Sequence, residues 1–334
     1  MRTLAALGLV LATAGCGSVD GDSATGDAGR GSGSDAHGDT QPGAMLAPYY
    51  YSYGWGNPAY AFSSLADMKA KGGPAAVTVG FVLSNGGCEV TSDIHGHLDD
   101  VRAYTSAGGH VRASFGGAVG MYLEYQCGTA ALLAAALGRF IDDTGITDLD
   151  FDLEQHAQSS NPALNALRGQ ALKQLQDSKR AQISFTLPVT TAGLLPESTD
   201  ILKAAITAGV QITFVNALTM DYGAGTDLMT APAMSVDALV QQMRVLLPAM
   251  SVDELYHHLG VTPMIGENDD GVVLTTAFAQ NVVSYVRQKQ LGLVSYWAVQ
   301  RDQACTSTQD LGVCSRHNTK TFEFDAIFEA ATTR

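Results

Sequence analysis

The sequence is poor in basic residues and in cysteine. Its 19 Lys and Arg residues are outnumbered by 33 Asp and Glu residues, which gives a formal net charge of −14. A surface of this sign argues against a nucleic-acid backbone or an anionic membrane surface as the partner. The five cysteines include no C-x-x-C pair, so a structural zinc site is not expected. A neutral or cationic substrate remains compatible with these absences.

The beginning of the chain resembles an export signal. An apolar run from Leu4 to Ala14 follows Arg2 and is too short to span a bilayer, so we predict a signal peptide over residues 1–15. Two cleavage sites remain open. Ala12-Thr13-Ala14 fits an A-x-A site, whereas Thr13-Ala14-Gly15-Cys16 resembles a lipobox in which Cys16 is lipidated. The expected protein is therefore exported, as a bacterial cell-envelope lipoprotein or as a secreted protein.

Residues 16–44 have the composition of a tether. They are mostly Gly, Ser, Asp, Ala and Thr, and so cannot bury enough apolar area to order themselves. A disordered tether between a lipid anchor and a folded domain favours the lipoprotein interpretation, in which the anchor is the only membrane contact. The alternative is a disordered mature N-terminus without an anchoring role. Residues 45–334 form the predicted folded domain.

The cysteine count agrees with export. If Cys16 carries a lipid, four cysteines remain, an even number suited to an oxidising compartment. Cys305 and Cys314 close a short loop and are expected to pair. Cys88 and Cys127 would then join two loops by a second disulfide.

From residue 47 onward, apolar segments alternate with helix-like segments. Several of the apolar segments are almost wholly apolar, as strands covered on both faces should be. The eight predicted strands are Ala47–Gly54, Ala76–Leu83, His110–Phe115, Ile146–Asp152, Gln182–Pro188, Gln211–Met220, Leu259–Ile265 and Gly292–Ala298. Helical spacing is evident between strands in LADMKAK, LAAALGRFIDDTG, LNALRGQALKQLQ, VDALVQQMRVLL and FAQNVVSYVRQK.

Eight strands in alternation with about eight helices predict an α/β fold, a (β/α)8 TIM barrel. A doubly wound open sheet is the alternative, but eight regular units favour closure. In such a barrel the active site lies at the carboxyl ends of the strands, so motifs at those ends indicate chemistry rather than packing.

The fourth predicted strand carries acids at every second position in the stretch TDLDFDLE. Since side chains alternate along a strand, these acids share one face and the intervening apolar residues share the other. The acids are Asp148, Asp150, Asp152 and Glu154, and the apolar residues are Leu149, Phe151 and Leu153. We expect the three Asp side chains to line the barrel interior towards the top, with Glu154 at the mouth. Neighbouring carboxylates then share protons and at least one pKa rises, which suits a general acid.

Three other interpretations of TDLDFDLE remain. The acids could be solvated on an exposed edge strand. A D-x-D-x-D run also opens an EF-hand calcium loop, although Leu153 stands where that loop requires Gly. Finally, the acids could be buried and paired in a strand without catalytic function, which is uncommon because buried acids need partners.

The segment LDFDLE resembles the signature of glycoside hydrolase family 18, the chitinases and their relatives, written D-G-x-D-x-D-x-E. Asp150, Asp152 and Glu154 match its last three acids. Thr147 stands where the family's first Asp usually is, and Asp148 replaces its Gly. The departure concerns the innermost acid of the row and leaves the general acid and its immediate partner in place.

The third predicted strand extends the resemblance. RASFGGA is similar to the family's S-x-G-G through Ser114, Gly116 and Gly117. Small residues there let the backbone approach the strand of acids closely. The three residues are candidate substrate contacts, and a plain glycine-rich loop is the alternative.

The sixth and eighth strands carry further matches. In LTMDYG, Tyr222 matches the family tyrosine whose hydroxyl contacts the sugar's acetamido group, and Met220 and Asp221 before it are further candidate substrate contacts. Gly223 stands where an Asp often follows that tyrosine. In VSYWAVQRD, Trp297 matches the tryptophan on which the sugar stacks.

The first predicted strand, PYYYSYGWG, offers Tyr53 and Trp55 as further sugar contacts, with an aromatic core strand as an equal alternative. The motifs follow one another in the order of the barrel strands. Further segments such as FTLPV and VTPMIGEND resemble those of bacterial chitinases, so the resemblance extends over nearly all of residues 45–330. No G-x-S-x-G nucleophile motif occurs in this region.

The resemblance implies a chitinase-like glycosidase that cleaves β-1,4 bonds between N-acetylglucosamine units of chitin or its oligosaccharides, with net retention. Glu154 would be the general acid and base, Asp152 would orient the substrate's acetamide, Asp150 would hold Asp152, and Tyr222 would fix the acetamide oxygen. It implies no metal and no organic cofactor, and we expect a monomer.

Two other functions remain open at this stage. Relatives of the family bind sugars without cutting them, but they commonly lose the Glu or its Asp partner, and this chain keeps both. An endo-β-N-acetylglucosaminidase acting on glycoprotein glycans or peptidoglycan is the alternative within enzymes. The sequence does not distinguish endo from exo action or predict a preferred chain length.

Overall fold

Parallel β-strands occupy all eight segments in which the sequence predicts them. In this computed structural model they are Met45–Leu46 with Tyr49–Tyr51, Ala76–Ser84, His110–Gly116, Asp148–Asp152, Gln182–Thr190, Ile212–Leu218, Leu259–Thr262 and Leu293–Val294. Each strand pairs with its neighbours in chain order. The predicted strand order is therefore confirmed, with boundaries that differ by a few residues.

The first strand joins the two ends of this sheet. Its segment Met45–Leu46 pairs with Leu293–Val294, and its continuation Tyr49–Tyr51 pairs with the second strand. Between them, the backbone N–H of Ala47 donates to the carbonyl of Val294 over 3.0 Å. Because one segment contacts both the last and the second strand, the sheet curls into a barrel. The predicted (β/α)8 fold is confirmed.

Helices cover the outside of the barrel, at least one after each strand. The α-helices are Leu65–Ala70, Leu98–Ser106, Leu123–Cys127, Ala130–Thr144, His156–Ser159, Pro162–Lys179, Pro196–Thr207, Ala231–Leu246, Val252–His257, Thr276–Lys289 and Glu323–Phe328. Single 3-10 turns lie at Ser52–Gly54, Asp93–His97, Val299–Arg301 and Glu329–Ala331. Short strands outside the barrel are Val90–Thr91, Gly193–Leu194, Gly266–Glu267 and Val273–Leu274.

Local sequence explains several helix boundaries. The side chains of Ser64, Thr129 and Thr275 each accept a hydrogen bond from a backbone N–H three residues later, which satisfies an unpaired donor of the first turn. The helix Ala130–Thr144 ends at Gly145, whose φ of 75° most other residues adopt only at a cost.

The apolar core lies between the strands and the helices, whereas the barrel interior is polar. On the fourth strand, Leu149 and Phe151 face outward, and the Phe151 ring stacks on Phe115 with centroids 5.3 Å apart. The interior holds a layer of buried polar side chains from neighbouring strands. They include Thr78, Arg112, Ser114, Asp148, Asp150, Ser184, Thr186, Asn216, Thr262 and Ser295.

The structure describes residues 43–179, 181–305 and 309–333. The predicted signal peptide, the lipidation site Cys16 and all of the predicted tether except Gly43 and Ala44 lie outside these residues, so export and lipidation stay predictions. Within the described ranges, no helix combines the length and the apolar character needed to cross a bilayer.

Both predicted disulfides are present. Cys88 bonds to Cys127, which ties the loop after the second strand to the short helix after the third. Cys305 bonds to Cys314 in the segment that follows the eighth strand. The first disulfide holds together two loops on the face of the barrel where the strands end.

Candidate active site

The fourth strand presents its acids to the barrel interior. Asp150 and Asp152 are 0% and 1% exposed, and the strand pairs with a neighbour on each side. The interpretation of TDLDFDLE as a solvated edge strand is therefore wrong. Glu154, two residues beyond the strand's end, is half-buried at the mouth.

Asp150 is surrounded by hydroxyl groups from three other strands. Its Oδ1 accepts a hydrogen bond from Thr186 Oγ1 at 2.8 Å, and its Oδ2 accepts from Ser114 Oγ at 2.8 Å. Tyr49 is the third hydroxyl donor to Asp150, with its hydroxyl 3.1 Å from Oδ2. Burial raises the pKa of Asp150, while Arg112 and the three hydroxyl groups oppose that rise.

Tyr49 links two acids of the row. Its hydroxyl lies 2.7 Å from Asp152 Oδ2 as well as 3.1 Å from Asp150 Oδ2, and its side chain is buried. Sequence reasoning missed this residue. Its partners lie about a hundred positions away in the chain, so no local pattern points to them.

Asp152 and Glu154 form a coupled pair of carboxyl groups. Burial, followed by the charges of Glu154 and Asp150, raises the pKa of Asp152 well above its ordinary value. Burial also raises the pKa of Glu154 to about 7, against a hydrogen bond with Asp152 and with a further contribution from the charge of Asp221. Two carboxyl groups form a hydrogen bond only when one is protonated, so the pair holds a proton near neutral pH. Glu154 is thereby suited to donate a proton.

The expectation that Asp148 lies towards the top of the barrel with the other acids is wrong. Asp148 begins the strand, at the opposite end from Glu154, and pairs there with Arg112 and the half-exposed His110 at 3.2 and 3.0 Å. Although burial disfavours its charge, these partners hold the pKa of Asp148 below its usual range. It therefore takes no part in the proton sharing at the mouth.

Gly116 and Gly117 allow a close approach to the acid-bearing strand. A Cβ at Gly116 would lie 2.0 Å from the carbonyl oxygen of Asp152, and the φ of Gly116 is 114°. The N–H of Gly117 donates to that same carbonyl at 2.8 Å. The third strand's glycines thus fix the backbone from which Asp152 projects.

Tyr122 anchors the backbone of the general-acid candidate and was not anticipated from the sequence. Its buried hydroxyl accepts hydrogen bonds from the N–H groups of Glu154 and Gln155 at 2.8 and 3.0 Å. The same hydroxyl donates to the carbonyl of Gly117 at 2.9 Å. One oxygen therefore fixes the loop after the third strand to the exit of the fourth.

Aromatic rings line the mouth beside the acids. Trp297 is half-buried and contacts Tyr49, Tyr51 and Phe81, with ring centroids 5.4, 4.9 and 5.9 Å away. Tyr53 stacks on Tyr51 and is 61% exposed. These rings form a surface on which the apolar face of a sugar can stack.

Trp55 is turned away from this surface. Its indole Nε1 donates to Asp100 Oδ2 at 2.7 Å, and its ring stacks on His97. Asp100 also accepts the N–H groups of Leu65 and Ala66 at the start of the first helix. For Trp55 the structure favours the packing interpretation over sugar contact.

In LTMDYG, at the end of the sixth strand, the side chains of Asp221 and Tyr222 have different partners. Asp221 has a φ of 50°, and its carboxylate accepts the N–H groups of Asp269 and Asp270 at 3.0 and 3.3 Å. The Tyr222 hydroxyl instead lies 2.7 Å from Ser235 Oγ on the covering helix. Asp221 therefore contributes to the electrostatics of Glu154, whereas Tyr222 is engaged outside the carboxylate row. Met220 is half-buried beside them.

The acids do not form an EF-hand loop, since Asp148, Asp150 and Asp152 belong to a barrel strand. Within the described ranges, no group of three or more His, Cys, Asp or Glu side chains is arranged to hold a metal ion.

Two curated proteins have similar sequences. The chain is 29% identical over 263 residues to endochitinase 11 of Metarhizium anisopliae, a match covering 72% of this chain and 49% of that protein. It is 32% identical over 218 residues to a probable bifunctional chitinase/lysozyme of Escherichia coli strain K12, covering 60% and 24% respectively. The chain thus spans at most about half the length of these relatives. No family model matches the chain.

A solved structure is similar to this chain over a longer part of its length than the two sequence relatives are. Active domain 2 of the thermostable chitinase from Pyrococcus furiosus, in complex with chito-oligosaccharides, is 27% identical with a TM-score of 0.78. The match covers 87% of this chain and 95% of that domain. Together with the acids of the fourth strand, these similarities show that the chain is a chitinase-like protein of glycoside hydrolase family 18.

Proposed function

We propose that this protein is a glycosidase that hydrolyses β-1,4 bonds between N-acetylglucosamine units, with Glu154 as general acid and base. The observation that carries the proposal is the Asp152–Glu154 pair at the mouth of the barrel, where burial raises the pKa of Glu154 to about 7. At neutral pH such a group is protonated in a large fraction of molecules and can still give up its proton. The complex of the Pyrococcus furiosus domain with chito-oligosaccharides supports the substrate class.

The first step breaks the glycosidic bond. Glu154 donates its proton to the bridging oxygen while the substrate's own acetamido oxygen attacks the anomeric carbon, in the route that this family uses in place of a protein nucleophile. The bond between the anomeric carbon and the leaving oxygen breaks, and the leaving sugar carries away the proton. Asp152, ionised at that moment, would stabilise the positive oxazolinium ring.

The second step restores the enzyme. Glu154, now a carboxylate, accepts a proton from water as the water oxygen attacks the anomeric carbon and opens the ring. The configuration at that carbon is retained after two inversions. Tyr49 supports both stages because its hydroxyl faces Asp150 and Asp152 together.

Substrate contacts would come from the rings at the mouth. Trp297 is half-buried next to Tyr49, the residue that contacts the acids, and would support the sugar whose bond is cut. The exposed Tyr53 would extend the stacking surface by one ring. The contact between Tyr222 and the acetamide stays a prediction, and it requires the hydroxyl to leave Ser235.

The test compares the wild-type chain with Glu154→Gln on N-acetylglucosamine tetramer to hexamer. We expect the variant to lose about 100-fold or more of kcat while it remains folded, since general acid and base catalysis is removed. Early anomeric NMR of the wild-type products should show the β-anomer first. Glu89→Gln makes the same chemical change at an exposed side chain and serves as the matched control.

The outcomes separate the candidate functions. Saturable binding without cleavage by the wild type would assign the protein to the sugar-binding relatives. Cleavage of glycoprotein glycans or peptidoglycan in preference to the oligomers would favour the endo-β-N-acetylglucosaminidase. Wild-type activity in Glu154→Gln would show that Glu154 is not the acid.

A further inference from the structure

A buried cation lies beneath the row of acids. Arg112 on the third strand is 1% exposed and sits in the barrel interior between Asp148 and Asp150. Its Nε donates to Asp148 Oδ1 at 3.2 Å, and its Nη2 lies 3.7 Å from Asp150 Oδ1. Among the described residues, no other Lys or Arg forms an ion pair with the acids of the fourth strand.

The guanidinium is held in one place from three directions. Asp148 binds its Nε, Thr78 Oγ1 accepts from its Nη1 at 3.2 Å, and the ring of Phe214 lies 5.9 Å from its central carbon. Its buried Nη2 has no hydrogen-bond partner. Nη2 is also the nitrogen that forms the ion pair with Asp150. The positive charge of Arg112 therefore acts on that acid.

Asp150 has the surroundings of an anion. Three hydroxyl groups, those of Tyr49, Ser114 and Thr186, lie within hydrogen-bond distance of its two oxygens, and Arg112 adds a positive charge. A carboxylate accepts all of these contacts at once, whereas a protonated Asp150 would have to donate one of them.

Resting on the proposed function, we propose that Arg112 and Asp148 act as a charge-setting pair: Arg112 keeps Asp150 ionised, so the shared proton stays with Asp152 and Glu154. Asp148 orients Arg112 and offsets part of its charge. Both are positioning residues, because they act on the reaction through Asp150. The pair accounts for Asp148, the acid of TDLDFDLE that the site at the mouth does not use.

The sign of the effect follows from the charges alone. Titratable and charged side chains from four strands surround Arg112, Asp148 and the neighbouring acids. They are Tyr49 on the first strand, His110 and Arg112 on the third, Asp148, Asp150, Asp152 and Glu154 on and after the fourth, and Asp221 after the sixth. Loss of the cation makes the coupled acids bind protons more tightly. Loss of the Asp148 charge has the opposite effect, since it leaves the cation less compensated.

The experiment measures kcat/KM against pH for wild type, Arg112→Met, Asp148→Asn and the double variant. The acidic limb is the low-pH side of this profile, where kcat/KM falls as an essential carboxylate becomes protonated. We expect the acidic limb to move to higher pH by about 1 unit in Arg112→Met, because an opposite charge this close shifts a carboxyl pKa by about 1–3 units. Asp148→Asn should move it to lower pH, and the double variant should lie between the two. Arg112→Lys keeps the charge and should restore the wild-type limb.

Opposite shifts distinguish charge setting from support of the fold. Single variants whose limbs stay at the wild-type pH, or shift in the same direction, would overturn the proposal even if both were less stable. If Arg112→Met does not fold, Asp148→Asn carries the test alone: a shift to lower pH supports the pair, and an unchanged limb overturns it. Repeating the series with His110→Asn removes the imidazole that contacts Asp148, so that only Arg112 remains beside this acid.

A second readout does not depend on catalysis. Groups whose pKa is raised in the folded protein contribute stability at acidic pH that is lost as the pH rises through the folded pKa. Between pH 5 and 8 the free energy of unfolding should therefore fall more steeply with pH in Arg112→Met than in wild type, and less steeply in Asp148→Asn. If the wild type cleaves no oligomer, the proposed function fails while these slopes still test the pair.

Discussion

The hydroxyl of Tyr49 offers the sharpest test of how the carboxylate row works. It donates to Asp152 Oδ2 at 2.7 Å, while Asp152 Oδ1 is buried without a hydrogen-bond partner. Asp150 keeps two other donors, Ser114 and Thr186. Tyr49→Phe therefore removes the support of Asp152 and leaves Asp150 hydrogen-bonded.

The expected loss follows from the charge on Asp152 during the first step. A hydrogen bond to a charged group contributes about 1.5–3 kcal/mol, which corresponds to a loss of about 10- to 150-fold in kcat. KM should change little, because the Tyr49 side chain is buried and offers almost no surface to a sugar. The hydroxyl also lowers the pKa of Asp152, so its removal should move the acidic limb of the pH profile to higher pH.

The assay is steady-state cleavage of N-acetylglucosamine pentamer from pH 4 to 9, with thermal unfolding measured in parallel. Tyr104→Phe is the matched control, since its buried hydroxyl donates to the carbonyl of Pro74 at 2.9 Å, away from the acids. It should cost about 1 kcal/mol of stability and leave the kinetics unchanged. If Tyr49→Phe keeps a kcat within about twofold of this control, the hydroxyl does not support Asp152 in the reaction.

Two further substitutions test how the backbone near the acids is fixed. Tyr122→Phe leaves the N–H groups of Glu154 and Gln155 without their acceptor. It should lower the free energy of unfolding by about 1–3 kcal/mol and also lower kcat. Unchanged kcat and stability would contradict this. Gly116→Ala forces a Cβ against the carbonyl of Asp152 and should cost at least about 3 kcal/mol. Gly128→Ala, at a φ of 67° with open space around the added Cβ, should cost only about 1–2 kcal/mol; equal losses at the two glycines would refute the contact.

The inward and outward faces of the fourth strand were predictable because the alternation is local. Every second residue from Asp148 to Asp152 had to share a face, and the apolar residues between them had to meet the helices. Closure of the sheet followed from counting eight regular units. These inferences need only the period of a strand and the order of the elements.

What the sequence did not reveal depends on contacts between distant segments. Nothing near Tyr49 distinguishes it from the neighbouring tyrosines of PYYYSYGWG, because its role comes from acids on another strand. Trp55 was ambiguous for the same reason, since Asp100 lies on a helix well beyond it in the chain. Arg112 did carry a usable signal: it alternates with Ser114 on a buried strand, so it had to face inward and needed an anion there.

The closure of the barrel also affects the order in which the site can form during synthesis, because the chain is made from its N-terminus to its C-terminus. Two hydrogen bonds join the Gln300 side chain to the backbone of Tyr51 across 249 residues, beside the ring of Trp297. A growing polypeptide therefore carries the acids of TDLDFDLE long before the last strand exists to complete their enclosure. Until then these acids are open to water, and burial, the main cause of their raised pKa values, is missing. Reactivity is consequently a property of the finished ring, acquired when the earliest and the latest strands to be made meet.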